Sequence, residues 1–170
     1  VPQDVFLFSD TIENNIAFGY KNKLPEKSVI EQAAKDAVIY SSIMEFDKGF
    51  KTRVGERGVT LSGGQKQRVS IARAIIKSPK ILIFDDCLSA VDTETEEAIL
   101  SNLKRIMLDK TSVIVSHRVS TVRNADKIIV LEEGEMVESG THQQLLDKKG
   151  VYYRMYQKQL KEEGKSKQKE

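Results

Sequence analysis

Ile81-Leu82-Ile83-Phe84-Asp85-Asp86 is a continuous apolar run, β-branched and aromatic, closed by two carboxylates. A strand covered on both faces reads this way, and such strands are usually parallel. Downstream, Thr93-Glu94-Thr95-Glu96 has the spacing of a capping box and opens a helix predicted to reach about Leu108. A second strand, Thr111–Ser116, follows, then a short helix near Ser120–Asn124. Lys127–Glu132 and Glu135–Ser139 flank Gly134 and predict a hairpin. Strand, helix, strand, helix is the rhythm of a parallel sheet with helices packed on it, so the expected class is α/β.

Upstream the pattern is helical. Ser9 or Asp10 can cap a short helix ending at Ile16, and Gly19–Lys23 reads as a loop. After Pro25, the residues Val29, Ile30, Ala33, Ala34, Ala37, Val38, Ser41 and Met44 keep a helical period that predicts one helix, ended by Asp47–Gly49. Leu61-Ser62-Gly63-Gly64-Gln65 then opens a helix that runs to Lys77, before Pro79. The last ten residues, Lys161–Glu170, are Lys, Glu, Gln, Gly and Ser and read as a frayed, solvated tail.

Composition narrows the class of function. In 170 residues, 27 Lys and Arg face 25 Asp and Glu, and the net charge of +2 is too small to argue for nucleic acid as a partner. No apolar run is long enough to span a bilayer. The one cysteine, Cys87, excludes an internal disulfide and fits a reducing compartment. Two histidines argue against a His-rich metal site. Val1-Pro2-Gln3-Asp4 has neither an initiator Met nor the look of a signal peptide, and the chain reads as starting inside a domain.

Three places carry chemistry. Ser62 is a natural N-cap, and Gly63 and Gly64 leave first-turn N–H groups uncovered at the positive end of a helix, which makes an anion site. Taken alone, the same residues also describe an ordinary capped helix. Asp85, at the end of a buried parallel strand, points into the crevice where α/β sheets bind ligands. It can hold Mg²⁺ beside nucleotide phosphates, and Asp86 can orient or deprotonate an attacking water. His117 follows the second strand as Asp85 follows the first, where an imidazole can reach a γ-phosphate or that water. His142, beside a helix start, reads as a capping or surface residue.

Together these residues resemble the nucleotide-binding domain of ATP-binding cassette (ABC) transporters. The matching elements are Gln3 as the Q-loop glutamine, Leu61–Gln65 as the signature followed by Lys66-Gln67-Arg68, and Asp85 closing the Walker B strand. Ser89-Ala90-Val91-Asp92 is similar to the D-loop, and His117 in Val-Ser-His-Arg to the switch histidine. Thr52–Gly58, Val5–Phe8 and Thr11–Ile16 resemble exporters within that family. The resemblance implies a P-loop NTPase-like parallel sheet with flanking helices plus a helical subdomain, incomplete at its N-terminus. The implied divisions are a Q-loop segment over 1–9, a signature subdomain over 10–78, the C-terminal part of a RecA-like core over 79–160 and the tail over 161–170.

It also implies roles. Asp86, His117 and Gln3 would be catalytic, and Asp85 and Gln3 would serve Mg²⁺. Ser62, Gly63, Gly64, Gln65 and Asp92 would contact ATP. Two such domains pack head to tail in the family, as homo- or heterodimers, on the cytoplasmic face of a membrane and against the transmembrane domain of the same transporter. The signature helix of one domain meets the ATP held by the other.

Two departures bear on activity. No Walker A loop is present. Gly164-Lys165-Ser166 lies in the tail, with Gln159 where the motif needs its first glycine, so the chain resembles the C-terminal two-thirds of a domain and is expected to be inactive alone. The family's usual catalytic carboxylate is Glu, and here it is Asp86, as in subunits of heterodimeric exporters with one weakened ATP site. Three readings follow: an ATPase energising export, a weakly hydrolytic nucleotide-gated subunit that mainly supplies the signature helix, and a soluble ABC ATPase. The last is disfavoured, because residues 1–60 lack heptads.

Overall fold

A computed structural model of the chain describes residues 1–18, 20, 24–55 and 58–166, with the side chains of 163–166 excepted. The chain divides into two compact units, Val1–Val115 and Ser116–Glu170. Among the described residues no helix is long and apolar enough to cross a membrane.

The first unit runs α1 (Ile12–Ile16), α2 (Lys27–Asp36), α3 (Tyr40–Met44), a 3-10 turn (Gly49–Lys51), α4 (Gly63–Ile75), β1 (Ile81–Asp85), α5 (Thr93–Met107) and β2 (Thr111–Val115). β1 and β2 pair in parallel, as the apolar run predicts, with Ile83 opposite Val113 and Asp85 opposite Val115. Leu82 and Phe84 enter a core shared with Ile71 and Ile75 of α4, Ile99 and Leu103 of α5, and Ile12 and Ile16 of α1. The expectation of a strand covered on both faces is corrected: Ile81 and Ile83 are exposed, because the helices of this unit pack on one face only. Val1 runs along the free edge of β1. Its amino group donates to the Ile83 carbonyl at 2.7 Å, and the Asp85 N–H donates to the Val1 carbonyl at 2.9 Å.

The single helix expected through Met44 is two. α2 stops at Asp36, and Val38 takes a left-handed φ of +54° that a β-branched residue rarely adopts. The N–H of Val38 donates to the Lys35 carbonyl and that of Ile39 to the Ala34 carbonyl, the bond pair of a Schellman stop. Arg68 of α4 explains why a valine holds this shape: its Nη1 donates to the Val38 carbonyl at 2.6 Å. Two caps also move by one or two residues. Thr11, not Ser9 or Asp10, caps α1. Asp92, not Thr93, caps α5, its carboxylate accepting the Thr95 N–H at 2.9 Å. The expected loop Gly19–Lys23 lies almost wholly outside the described residues, as do Glu56 and Arg57 of the exporter-like loop.

The second unit contains α6 (Val119–Val122), β3 (Ile128–Glu132), β4 (Glu135–Gly140), α7 (His142–Lys148) and α8 (Val151–Ser166). β3 and β4 form the expected antiparallel hairpin. Its two-residue turn, Glu133-Gly134, has positive φ at both positions, the geometry whose twist matches paired strands. Val119, Ile128, Val130, Leu145 and Tyr152 make the core. α8 continues through Ser166 into the stretch expected to fray, since Lys, Glu and Gln are good helix formers.

Candidate functional site

α4 begins as its sequence predicts. Ser62 Oγ accepts the Gln65 N–H at 3.2 Å, and Gln65 Oε1 accepts the Ser62 N–H at 2.9 Å, a complete capping box. The box uses two of the donors at this helix start and leaves those of Gly63 and Gly64, which have no intrahelical acceptor by geometry. The glycines differ in what they face. A Cβ at Gly63 would lie in ordinary contact, 3.5 Å from the Ala90 Cβ. One at Gly64 would come within 2.9 Å of the Ala90 carbonyl oxygen, which is backbone and cannot swing aside. Gly64 therefore answers first to the close approach of the Ser89–Asp92 segment, a cause that phosphate access alone does not reveal.

Gln67 fastens the same segment. It is 5% exposed, and both ends of its amide are used. The Ala90 N–H donates to Oε1 at 3.1 Å, and Nε2 donates to Ser89 Oγ at 3.5 Å. Sequence reasoning did not single out this residue. The signal available was its place on the stripe Gly64, Gln67, Ile71, Ile75, where a polar side chain among core positions calls for a buried partner. Arg68, one residue on, faces Asp92. Burial lowers its pKa and the Asp92 carboxylate opposes that shift. The Asp92 carboxyl lies below its usual range, first through the Thr95 N–H and next through the Thr95 side chain.

Two carboxylates stand at the end of β1. Asp85 is its exposed last residue. The N–H of Asp86 extends the parallel ladder by donating to the Val115 carbonyl at 2.9 Å, and the chain then turns at φ +42°. Asp accepts the left-handed region better than most side chains, and the turn re-aims the carboxylate away from the strand. Gln3 meets it there, Nε2 donating to Asp86 Oδ2 at 3.4 Å. Cys87 is buried next to them, and burial pushes its thiol pKa up to about 11, so it is no thiolate nucleophile. A Mg²⁺ ion that sits with phosphates asks the protein for only one or two carboxylates, and Asp85, exposed at the strand end, fits that demand. Among the described residues no group of three or more His, Cys, Asp or Glu forms a protein-only cage.

The ABC transporter family model matches residues 1–89, just over half of the chain and the part that carries Gln3, Ser62–Gln65, Asp85 and Asp86. The chain belongs to this family. Relatives aligned over 94% of the chain agree with it. The chain is 50% identical over 159 residues to ATP-binding cassette sub-family B member 6 of Xenopus tropicalis, covering 94% of this chain and 18% of that protein. It is 47% identical over 160 residues to the ATP-dependent lipid A-core flippase of Francisella tularensis subsp. tularensis (strain SCHU S4 / Schu 4), covering 94% and 26%. A solved structure of a bacterial Atm1-family ABC exporter with ATP bound matches at a TM-score of 0.87 and 44% identity, over 94% of this chain and 28% of that one. The chain thus spans about a fifth to a quarter of these curated relatives. Membership of the ABC family implies a site for ATP.

The first unit gathers Gln3, Asp85 and Asp86 at the end of β1, and ties Ser62–Gln65 to the segment that ends in Asp92. His117 belongs to the second unit. It is exposed, and its carbonyl accepts from Gln159 Nε2 at 2.9 Å while Gln159 Oε1 accepts the Val119 N–H at 2.8 Å. Gln159, where a Walker A glycine would be needed, is thus a brace for the residues around His117. The capping or surface role expected of His142 is corrected: Thr141 caps α7, and His142 is part-buried with Nδ1 2.7 Å from the Tyr152 hydroxyl.

Proposed function

We propose that the chain is the part of an ABC exporter that binds and hydrolyses ATP to drive transmembrane export. The observation that carries this reading is the meeting of Gln3 with Asp86, beside Asp85, at the end of a parallel strand. It is supported by 44% identity to an exporter with ATP bound. In this reading the N–H groups of Gly63 and Gly64 and the Ser62 hydroxyl donate to the terminal phosphate of an ATP held by a second, head-to-tail nucleotide-binding domain. Gln65 contributes its Nε2, its carbonyl being committed to the cap. Asp92 stands at the same junction. At the first unit's own site Asp86 orients the attacking water and Gln3 fixes the Asp86 carboxylate; His117, in the second unit, takes by family resemblance the role of a donor to phosphate. Mg²⁺, when bound, neutralises phosphate charge, and Asp85 and Gln3 are the residues that would hold it. A transmembrane domain of the same transporter is the other partner. Phe6 and Phe18, both exposed, lie on the segment that Arg73 braces by donating to the Phe6 and Asn15 carbonyls, and they offer it a surface on the cytoplasmic side.

Asp86 favours a second reading, in which this chain's own site hydrolyses weakly and its signature helix serves a partner with the stronger site. Full-length protein reconstituted in vesicles tests the first reading. ATP hydrolysis is expected in the wild type and a loss on the order of 10²-fold with His117→Ala, the scale of a lost transition-state donor. A wild type without ATPase activity overturns it.

A further inference from the structure

A hydrogen-bonded chain runs from the signature helix to the backbone of the candidate catalytic carboxylate. Gln67 Nε2 donates to Ser89 Oγ, and Ser89 Oγ donates in turn to the Asp86 carbonyl at 2.9 Å. The other end of the Gln67 amide holds the Ala90 N–H at 3.1 Å. The Ala90 carbonyl is pressed so close to Gly64 that no Cβ fits between them. Asp86 itself is fixed on its far side by the Val115 carbonyl and at its carboxylate by Gln3.

The geometry points to Gln67 as a positioning residue that locks the anion-binding start of α4 to Asp86. The inference rests on the proposed function, in which Ser62–Gly64 serve the partner's nucleotide and Asp86 serves this chain's own. Gln67 touches neither nucleotide. It makes the two binding surfaces of one chain a single body, so that a displacement of α4 by the partner's phosphate is carried through Ser89 to the Asp86 backbone. A buried amide is suited to this. It donates at one end and accepts at the other, and its removal frees two loop residues that are themselves exposed. Leucine at this position fills nearly the same volume and makes neither bond.

The test uses the full-length protein with Gln67→Leu, Ser89→Ala and the double variant. Each single change is expected to lower kcat about tenfold, within what an ångström-scale misplacement costs, with KM little changed. The double variant is expected to be no worse than either single one, since both changes cut the same chain. Hydrogen exchange supplies a readout independent of turnover: residues 86–92 should exchange faster in Gln67→Leu without nucleotide. Additive losses in kcat, or unchanged exchange over 86–92, overturn the inference. If Gln67→Leu fails to fold, Ser89→Ala at its exposed position decides alone, by faster exchange of 86–92 and a lower kcat or by neither. If the wild type hydrolyses no ATP, the proposed function falls, and the exchange comparison still decides whether Gln67 holds the loop.

Discussion

Asp86 concentrates the functional question in one side chain. Its carboxylate is one methylene shorter than the family's glutamate and is launched from a left-handed turn pinned by Val115 and Ser89. In the proposed function, a shift of the backbone toward an attacking water would break that ladder bond or the Ser89 bond, so the reach would stay shorter by roughly 1 Å, on a scale where such misplacement can cost on the order of 10²-fold. In the reconstituted full-length protein Asp86→Glu is expected to raise ATP hydrolysis at this site. Asp86→Asn is expected to change total turnover little if a partner site carries it. Abolition of turnover by Asp86→Asn would make Asp86 a working base and remove the weak-site reading. The placement of Asp85-Asp86 at a strand end was legible in the sequence, because they follow a strand whose apolar run is unmistakable. The meaning of Gly64 was only half legible. The sequence shows a glycine at a helix start, but its closest neighbour, Ala90, comes from a loop beyond the next strand.

Elements were legible where their signals are local. The capping residue of α4, the glycine turn between β3 and β4, and the β-branched runs of β1 and β2 each sit within a few residues of what they determine. The break after α2 was not, because Val38 is a poor left-handed residue and the donor that holds its carbonyl, Arg68, is supplied by α4. Caps slipped where cap-forming residues are adjacent, as at Ser9-Asp10-Thr11 and Asp92-Thr93. The cap of α5 carries a pH signature. The Asp92 pKa is depressed in the fold by the Thr95 N–H, so its stabilising contribution is present above the unfolded value, about 3.9, and is lost as pH falls through the folded value. Asparagine accepts the same N–H without a charge to lose. Asp92→Asn is therefore expected to leave thermal stability near its wild-type value at pH 7 and to flatten its decline below about pH 4. An acid limb identical to that of the wild type would show that another carboxylate governs it.

At the scale of the whole molecule, the sequence asks for more burial than the chain provides. The run Ile81–Phe84 is apolar at every position, yet Ile81 and Ile83 on β1 are 62% and 56% exposed, and Val113 and Val115 on β2 are 47% and 50% exposed. Parallel pairing sets Ile83 beside Val113, so the four side chains form one apolar strip on the outward face of a two-stranded sheet. Contiguous apolar strips are rarely left open to water, and a sheet this narrow also presents strand edges. The 170-residue chain by itself is expected to self-associate through this face. Replacing Ile83 and Val113 together by threonine keeps β-branching, and with it strand propensity, while removing apolar surface. That pair should shift the sedimentation profile toward monomer with little change in far-ultraviolet circular dichroism. Leu82→Thr, at a buried position of the same strand, is the control: it should unfold the first unit, at a cost of roughly 2–5 kcal/mol for losing a buried leucine to a smaller polar side chain. A wild-type chain that sediments as a monomer throughout would show that the strip tolerates water, and that the apolar run answers to strand propensity rather than to a missing cover.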